Sequence, residues 1–231
     1  MKLTDALAEI LKENSVNQVF GLQGGAVVHI FDSIEKKKID VTYTNHEQSA
    51  ALAAVANAKC NQNLGCAVVT TGPGCTNAIT GLMAAWQDSV PCIFISGQSR
   101  SQHTSYGKKV RQVGTQEVNI CDVVKPLTKY SKFIDNKSNF INEVRKAIDI
   151  AKSGRPGPVW IDIPLEFQWS DIIFKKSKIN NKIKIKFNTI NFKNFLKKSK
   201  KPLLILGHGL RTSYDGLKNI KNFVKIKKIP F

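Results

Sequence analysis

The chain has 231 residues, 42% of them hydrophobic, and a formal net charge of +18. No apolar run approaches the roughly 18 residues of a membrane span, and the N-terminal residues 1–14 mix charged and apolar types, which indicates an amphipathic helix and not a signal peptide. The five cysteines lack metal-binding spacing and favour reduced thiols, so we expect a cytoplasmic protein that does not associate with membranes.

The positive charge is concentrated in the last quarter of the chain. Residues 171–231 hold 17 Lys and Arg against 2 Asp and Glu, whereas residues 1–170 have a net charge of +3. No nucleic-acid motif is recognisable there. We interpret the segment as a compositionally biased linker and surface, with no nucleic-acid partner; a nucleic-acid-binding patch is the alternative.

Helices and strands are predicted to alternate along the chain. Thr4 can cap a first helix, and the alanine-rich helix begins at Glu47. Further helices are expected at residues 26–37, 75–89, 139–154 and near Gln116–Val124. The strands are expected at Gln18–Phe20, 40–44, 65–71, 91–97, near Tyr130 and at 156–164.

Strands that are apolar throughout and alternate with helices indicate a doubly wound α/β fold, with a mostly parallel sheet and helices on both faces. In such a sheet, ligand sites lie at the carboxyl ends of the strands. Four polar or glycine-rich strand ends fall there: GLQGG (21–25), NHE (45–47), TTGPG (70–74) and SGQ (96–98). We therefore expect a ligand site at this edge.

A second, incomplete α/β domain is expected near the end of the chain. Residues 189–231 predict a helix, a strand at 202–206, a glycine-rich turn that contains His208, a helix and a strand from Ile229. Because one complete strand cannot bury a sizeable core, the chain looks cut off inside this domain. The expected bounds are 1–168 for the first domain, 169–188 for a basic linker and 189–231 for the incomplete domain.

The individual motifs also have simpler interpretations. TTGPG can be a plain strand-to-helix turn instead of an anion site. Glu47 can be a first-turn carboxylate that stabilises the helix dipole. His46 and Glu47 point in different directions from a helix start, so a shared metal ion is not expected, and no metal-binding residue is predicted.

Five segments carry a family resemblance: residues 19–34, 46–59, 70–98, 111–131 and 153–164. In this order they resemble the N-terminal, pyrimidine-binding domain of thiamine-diphosphate enzymes, in particular the acetolactate synthase large-subunit group. Residues 201–211 resemble the start of the family's central domain.

The resemblance implies roles for individual residues. Glu47 would contact N1′ of the aminopyrimidine and support the tautomer whose 4′ nitrogen takes the proton from C2 of the thiazolium. Gln116 would lie near the reacting carbons. The other cofactor-binding residues would be Gln23, Gly24, Pro73 and Asn77. The alanines after Glu47 would allow close approach at a subunit interface, although tight packing inside one subunit explains them nearly as well.

The resemblance also implies an activity and its cofactors. The enzyme would decarboxylate a 2-oxo acid, and pyruvate is the substrate we expect first. It would then join the two-carbon unit that remains to a second 2-oxo acid. It would use thiamine diphosphate and Mg²⁺. The Mg²⁺ would be held through a C-terminal domain, whose Gly-Asp-Gly…Asn motif is not in this sequence. FAD is a further cofactor that the resemblance implies, since synthase members of the family carry it on the central domain. We expect a homodimer or tetramer, or a separate chain with the diphosphate-binding domain, and no activity from this chain alone.

Three positions depart from the family pattern on the substrate side. Leu22-Gln23 replaces Tyr-Pro, Thr115 replaces Phe, and Leu165 replaces Lys. These departures leave two alternatives open. The protein can be a different 2-oxo acid decarboxylase or carboligase, or a non-catalytic association module that keeps the fold.

Overall fold

The computed structural model describes residues 1–176, 189–207, 209–210, 216–228 and 230. The chain divides into two compact units, Met1–Asn181 and Lys182–Phe231. The predicted domain bounds at 168 and 188 stay predictions.

The first unit alternates strands with helices. The strands are β1 (Gln18–Gly21), β2 (Asp40–Tyr43), β3 (Gly65–Val69), β4 (Cys92–Gln98), β5 (Tyr130–Phe133) and β6 (Pro158–Pro164). The helices are α1 (Leu3–Glu13), α2 (Val28–Lys36), α3 (Glu47–Asn61), α4 (Pro73–Asn77), α5 (Ile79–Gln87), α6 (Ile120–Val124), α7 (Phe140–Lys152) and α8 (Leu165–Gln168).

The six strands form one sheet in the order β2-β1-β3-β4-β6-β5, and every pair is parallel. Successive residues of a strand face opposite sides of the sheet. Accordingly, Cys66 and Val68 of β3 pack with α1, α2 and α7, whereas Ala67 and Val69 pack with α3, α5 and α6. Helices therefore cover both faces, and the predicted doubly wound α/β fold is confirmed.

The strand register brings the predicted strand ends together. Gly21 of β1 pairs with both Tyr43 of β2 and Val68 of β3, and Val69 pairs with Ser96 of β4. The loops that follow these strands therefore leave the sheet at the same edge, as the sequence predicts.

Three local predictions for the first unit differ from the structure. The helix expected at residues 75–89 is two helices, α4 and α5, which are separated by a turn at Ala78. Thr4 lies inside α1, which begins at Leu3, and its buried hydroxyl donates to the carbonyl of Gln168 instead of capping the helix. The helix expected near Gln116–Val124 begins only at Ile120, because Gln116 has a φ of +57°, outside the right-handed helical region, and Asn119 caps the helix.

The second unit contains two described helices, α9 (Thr189–Lys198) and α10 (Gly216–Lys227). A strand is predicted at residues 202–206, but the structure assigns none there. The backbone N–H of Leu204 donates to the carbonyl of Pro230 at 3.1 Å. The predictions for His208 and Ile229 lie outside the described residues.

Across the residues that the structure describes, no helix combines the length and the apolar character that crossing a membrane requires.

Candidate functional site

Glu47 is the first residue of α3, and the residue is 8% exposed. His46 precedes it as the N-cap: the backbone N–H of Gln48 donates to its Nδ1 at 3.1 Å. Asn77 Nδ2 donates to Oε2 of Glu47 at 3.0 Å. No hydrogen bond within the described part of the chain reaches Oε1, so the carboxyl group is buried with one oxygen uncommitted.

The TTGPG turn supplies the surface beside this carboxyl group. Gly72 has a φ of +65°, which favours glycine, and it precedes α4. A Cβ at Gly74 would lie 3.4 Å from Oε1 of Glu47 and 2.7 Å from Cγ2 of Thr70, and a Cβ at Gly24 would lie 2.5 Å from Cβ of Thr70. Glycines at 24 and 74 thus allow both loops to approach Thr70 and leave the second carboxyl oxygen uncovered.

Gln116 reaches the same edge through its backbone. Thr71 Oγ1 donates to the carbonyl of Gln116 at 3.1 Å, and a Cβ at Gly72 would lie 2.4 Å from that carbonyl oxygen. The side chain of Gln116 is exposed, and a positive φ holds its backbone. The turn and the loop of Gln116 are therefore in direct contact.

Gln23 and Pro73 lie at the rim of this region and are exposed. Gln23 Nε2 donates to Oη of Tyr43 at 2.9 Å, and that hydroxyl donates to Glu35 Oε1 at 2.7 Å. Burial and the Glu35 carboxylate raise the pKa of Tyr43 to about 12. Pro73 is the first residue of α4, where its missing N–H costs no helical hydrogen bond.

These residues fit the pyrimidine end of thiamine diphosphate. The chemistry requires a shielded carboxyl group with an oxygen available to a ring nitrogen, and Glu47 provides it. The space in front of that oxygen is kept by Gly74, which has no side chain to fill it. No group of three or more His, Cys, Asp and Glu residues suited to a metal ion occurs among the described residues.

Sequence reasoning missed a buried polar network behind the site. Trp160 Nε1 donates to Ser96 Oγ at 2.8 Å, and that hydroxyl donates to Asp162 Oδ1 at 2.6 Å. Gln98 Nε2 donates to Asp162 Oδ2 at 2.9 Å, and Gln98 Oε1, at 2.8 Å from Thr71 Oγ1, shares the single proton of that hydroxyl with the carbonyl of Gln116. A signal was available, since polar residues inside the otherwise apolar strands β4 and β6 have to find buried partners.

Burial raises the pKa of Asp162 to about 7, and the nearby Glu117 carboxyl adds to this shift, while hydrogen bonds from Ser96 and Gln98 oppose it. Asp162 is completely buried on β6, beside β4. The pKa of this carboxyl group is thus determined by its burial and by the neighbouring side chains, because no solvent reaches it.

Comparison with known proteins shows the family of the chain. The family described as "Thiamine pyrophosphate enzyme, N-terminal TPP binding domain" matches residues 1–123. An acetolactate synthase large subunit of Cyanidium caldarium is 34% identical over 96% of this chain and 40% of its own length. The acetolactate synthase isozyme 2 large subunit of Escherichia coli K12 is 31% identical over 95% of this chain and 39% of its own length.

The Haemophilus influenzae acetolactate synthase large subunit is 37% identical over 69% of this chain and 27% of its own length. The chain spans about two fifths of the length of the first two relatives. The family match covers more than half of the chain and includes Glu47 and the TTGPG turn. The chain therefore belongs to the thiamine pyrophosphate enzyme family and contains its N-terminal TPP binding domain.

Proposed function

We propose that this chain supplies the pyrimidine-binding half of a thiamine-diphosphate site in an acetolactate-synthase-like enzyme. The observation that carries the proposal is the buried Glu47 carboxyl group, with Oε2 held by Asn77 and no hydrogen bond to Oε1 within the described residues. The acetolactate synthase relatives support the reaction class.

Thiamine diphosphate, when bound, supplies a thiazolium carbon that adds to the carbonyl of a 2-oxo acid and accepts the electron pair released with carbon dioxide. Glu47 shares a proton with N1′ of the pyrimidine through Oε1, and Asn77 keeps the carboxyl group turned toward it. Burial keeps water away from this proton and strengthens the contact.

The remaining predicted residues take positions around this contact. Gly24 and Pro73 border the pyrimidine side, and Gln116 extends from a loop that touches the TTGPG turn. Gln23 lies at the rim, where Tyr43 holds its amide. We propose that Gln23 and Gln116 face the substrate side of the site.

The substrates and assembly are proposals that rest on the family. We propose pyruvate as the donor 2-oxo acid, a second 2-oxo acid as the acceptor, and Mg²⁺ held by a diphosphate-binding domain outside this sequence. FAD is proposed from the resemblance alone. A homodimer, a tetramer or a complex with a separate chain would bring the pyrimidine-binding and diphosphate-binding domains together. We propose that this enzyme works in the cytoplasm.

The proton contact of Glu47 can be measured directly. Thiamine labelled with ¹⁵N at N1′ is titrated with pH in the presence of the chain and followed by NMR. The pKa of N1′ should rise on binding, because Glu47 stabilises its protonated form. Glu47→Gln should return that pKa to the value in free thiamine. The matched control is Glu143→Gln, which changes a glutamate bonded to Tyr130 on the β5 edge.

An N1′ pKa that is the same with the wild type and with Glu47→Gln would show that Glu47 does not share the pyrimidine proton. Turnover is then tested with pyruvate, thiamine diphosphate, Mg²⁺ and the complementary domain. Glu47→Gln should lower the rate by roughly 10²–10⁴-fold. A normal N1′ shift without turnover of any 2-oxo acid would favour the non-catalytic module.

A further inference from the structure

A continuous hydrogen-bonded chain runs from the interior of the sheet to the candidate site. It starts at Asp162, passes through the side-chain amide of Gln98 and reaches the hydroxyl of Thr71, whose single proton is shared between Gln98 Oε1 and the carbonyl of Gln116. The three bonds measure 2.9, 2.8 and 3.1 Å. Asp162 and Gln98 are completely buried, and Thr71 is 7% exposed.

Gln98 is the branch point of this chain. Its Nε2 also donates to the carbonyl of Val118 at 2.8 Å, and its Oε1 also accepts from the backbone N–H of Ser99 at 2.9 Å. One amide orientation thus satisfies four partners, on β6, in the TTGPG turn, in the Gln116 loop and after β4. Turning the amide over would place its oxygen against the acceptor oxygens of Asp162 and Val118, and its N–H groups against the backbone N–H of Ser99.

We infer that Asp162 is a positioning residue, which acts through Gln98 and Thr71 to hold the TTGPG turn and the backbone of Gln116 in place. The inference rests on the proposed function, since it concerns the same site. Asp162 itself does not touch that site. Its ionised carboxylate accepts from both Ser96 and Gln98, and so selects the amide orientation that the site requires.

Protonation of Asp162 should weaken its preference for one orientation of the Gln98 side-chain amide. The added proton turns one acceptor oxygen into a donor, which faces either the Gln98 N–H or the Ser96 hydroxyl. Ser96 already accepts from Trp160, so its own proton would lose its partner. In either case one buried group is left without its hydrogen bond, which is unfavourable.

The surroundings place this change near neutral pH. Burial raises the pKa of Asp162 to about 7, so the carboxylate is ionised above that pH and protonated below it. The titratable groups that interact with it electrostatically are Glu117 and Tyr106 of the loop before α6, Cys121 of α6 and Cys75 of α4. None of these four is a cation that would hold the pKa low.

The experiment is a pH titration of the chain without cofactor, followed by ¹H–¹⁵N NMR. The Trp160 indole N–H reports on Asp162 through Ser96, and the backbone amides of Gly72 and Gln116 report on the site. We expect all three signals to move with one midpoint near pH 7. Asp162→Asn should abolish this shared titration.

A second pair of variants distinguishes a specific effect on the position of the site from a general effect of losing a buried hydroxyl. Thr71→Val removes the hydroxyl that joins Gln98 to the TTGPG turn, whereas the bond from Gln98 to the carbonyl of Val118 remains. The Gly72 signal should therefore lose its titration while the Trp160 signal continues to titrate. Thr128→Val is the matched control, because it removes a buried threonine hydroxyl that bonds the end of α6 instead. This control should leave all three titrations unchanged.

The inference is overturned if Trp160 titrates while Gly72 and Gln116 do not titrate in the wild type, or if Thr71→Val leaves the Gly72 titration intact. It is also overturned if none of the three signals changes between pH 5 and pH 9. Because no ligand is present, these results are independent of whether Glu47 binds a pyrimidine. Failure of the thiamine titration alone would contradict the proposed function and leave the positioning chain intact.

Discussion

Glu47 and Asp162 are both buried carboxyl residues, but their surroundings suit them to different tasks. Asn77 occupies one oxygen of Glu47, and glycine lies in front of the other. Ser96 and Gln98 occupy both oxygens of Asp162. A carboxyl group with an uncommitted oxygen can exchange a proton with a ligand, whereas one with both oxygens engaged orients its neighbours.

The space at Gly74 gives a prediction at the residue scale. In Gly74→Ala, the new Cβ would lie 3.4 Å from Glu47 Oε1 and 2.7 Å from Thr70, whose side chain has to move. We expect thiamine to bind at least about tenfold more weakly, measured by calorimetric titration, because the methyl group takes space beside the carboxyl oxygen. The melting temperature should change by only a few degrees, since a helical alanine offsets part of the steric cost.

Gly25→Ala is the control for this prediction. A Cβ at Gly25 meets no atom within 4 Å, so thiamine affinity should be unchanged. Equal affinities for the wild type and Gly74→Ala would show that the ligand does not use the space beside Glu47.

At the scale of elements, α3 explains why a helix that begins with a buried glutamate continues with alanine. Its buried face consists of small residues after Glu47: Ala50, Ala51, Ala54, Val55 and Ala58. A Cβ at Gly81 of α5 would lie 2.4 Å from Cβ of Ala51, so the two helices approach closely. Packing within one subunit therefore uses this face, and a role of α3 in subunit association stays a prediction.

Because α3 packs closely against α5, a larger side chain should destabilise the fold on the buried face of α3 but not on its exposed face. Ala51→Leu should lower the free energy of unfolding by about 1–3 kcal/mol or more, because the side chain has no room beside Gly81. Ala56→Leu, at an exposed position of the same helix, should change it by less than about 0.5 kcal/mol. Urea denaturation of both variants is the measurement, and equal effects would contradict the packing argument.

At the scale of the whole molecule, the segment after β6 returns to the N-terminus. The backbone N–H of Leu3 donates to the carbonyl of Ser170, and that of Ile172 donates to the carbonyl of Met1, both at 2.9 Å. Ile172 and Phe174 pack against the core, with the Arg145 guanidinium 5.5 Å from the ring of Phe174. Residues beyond 168 thus contribute to the first unit.

The contacts of residues 169–176 with the first unit allow the predicted domain boundary at residue 168 to be tested. A chain that ends at residue 168 should be less stable than one that ends at residue 176 by about 2–4 kcal/mol, because it lacks two backbone hydrogen bonds and the packing of Ile172 and Phe174. Thermal unfolding followed by circular dichroism compares the two chains. Equal melting temperatures would support a boundary at 168.

Much of the fold followed from local patterns. The start of α3 at Glu47 and the apolar strands β3, β4 and β6 are determined by residues close together in the sequence. The start of α6 and the role of Thr4 were not predictable in this way. Thr4 is buried through a bond to Gln168, a residue 164 positions away, and such a partner is invisible to local propensity.

The order of the sequence motifs indicated the family by resemblance. The sequence by itself also determined the alternation of strands and helices and the edge of the sheet at which the candidate site lies, because apolar periodicity and glycine-rich strand ends are local features. Only the tertiary structure decided what Glu47 contacts and how Asp162 reaches the site. Both depend on hydrogen bonds between distant segments: Asn77 lies 30 positions from Glu47, and Asp162 lies 64 positions from Gln98. Burial strengthens those hydrogen bonds, and it arises only when the sheet and its two helical layers are assembled.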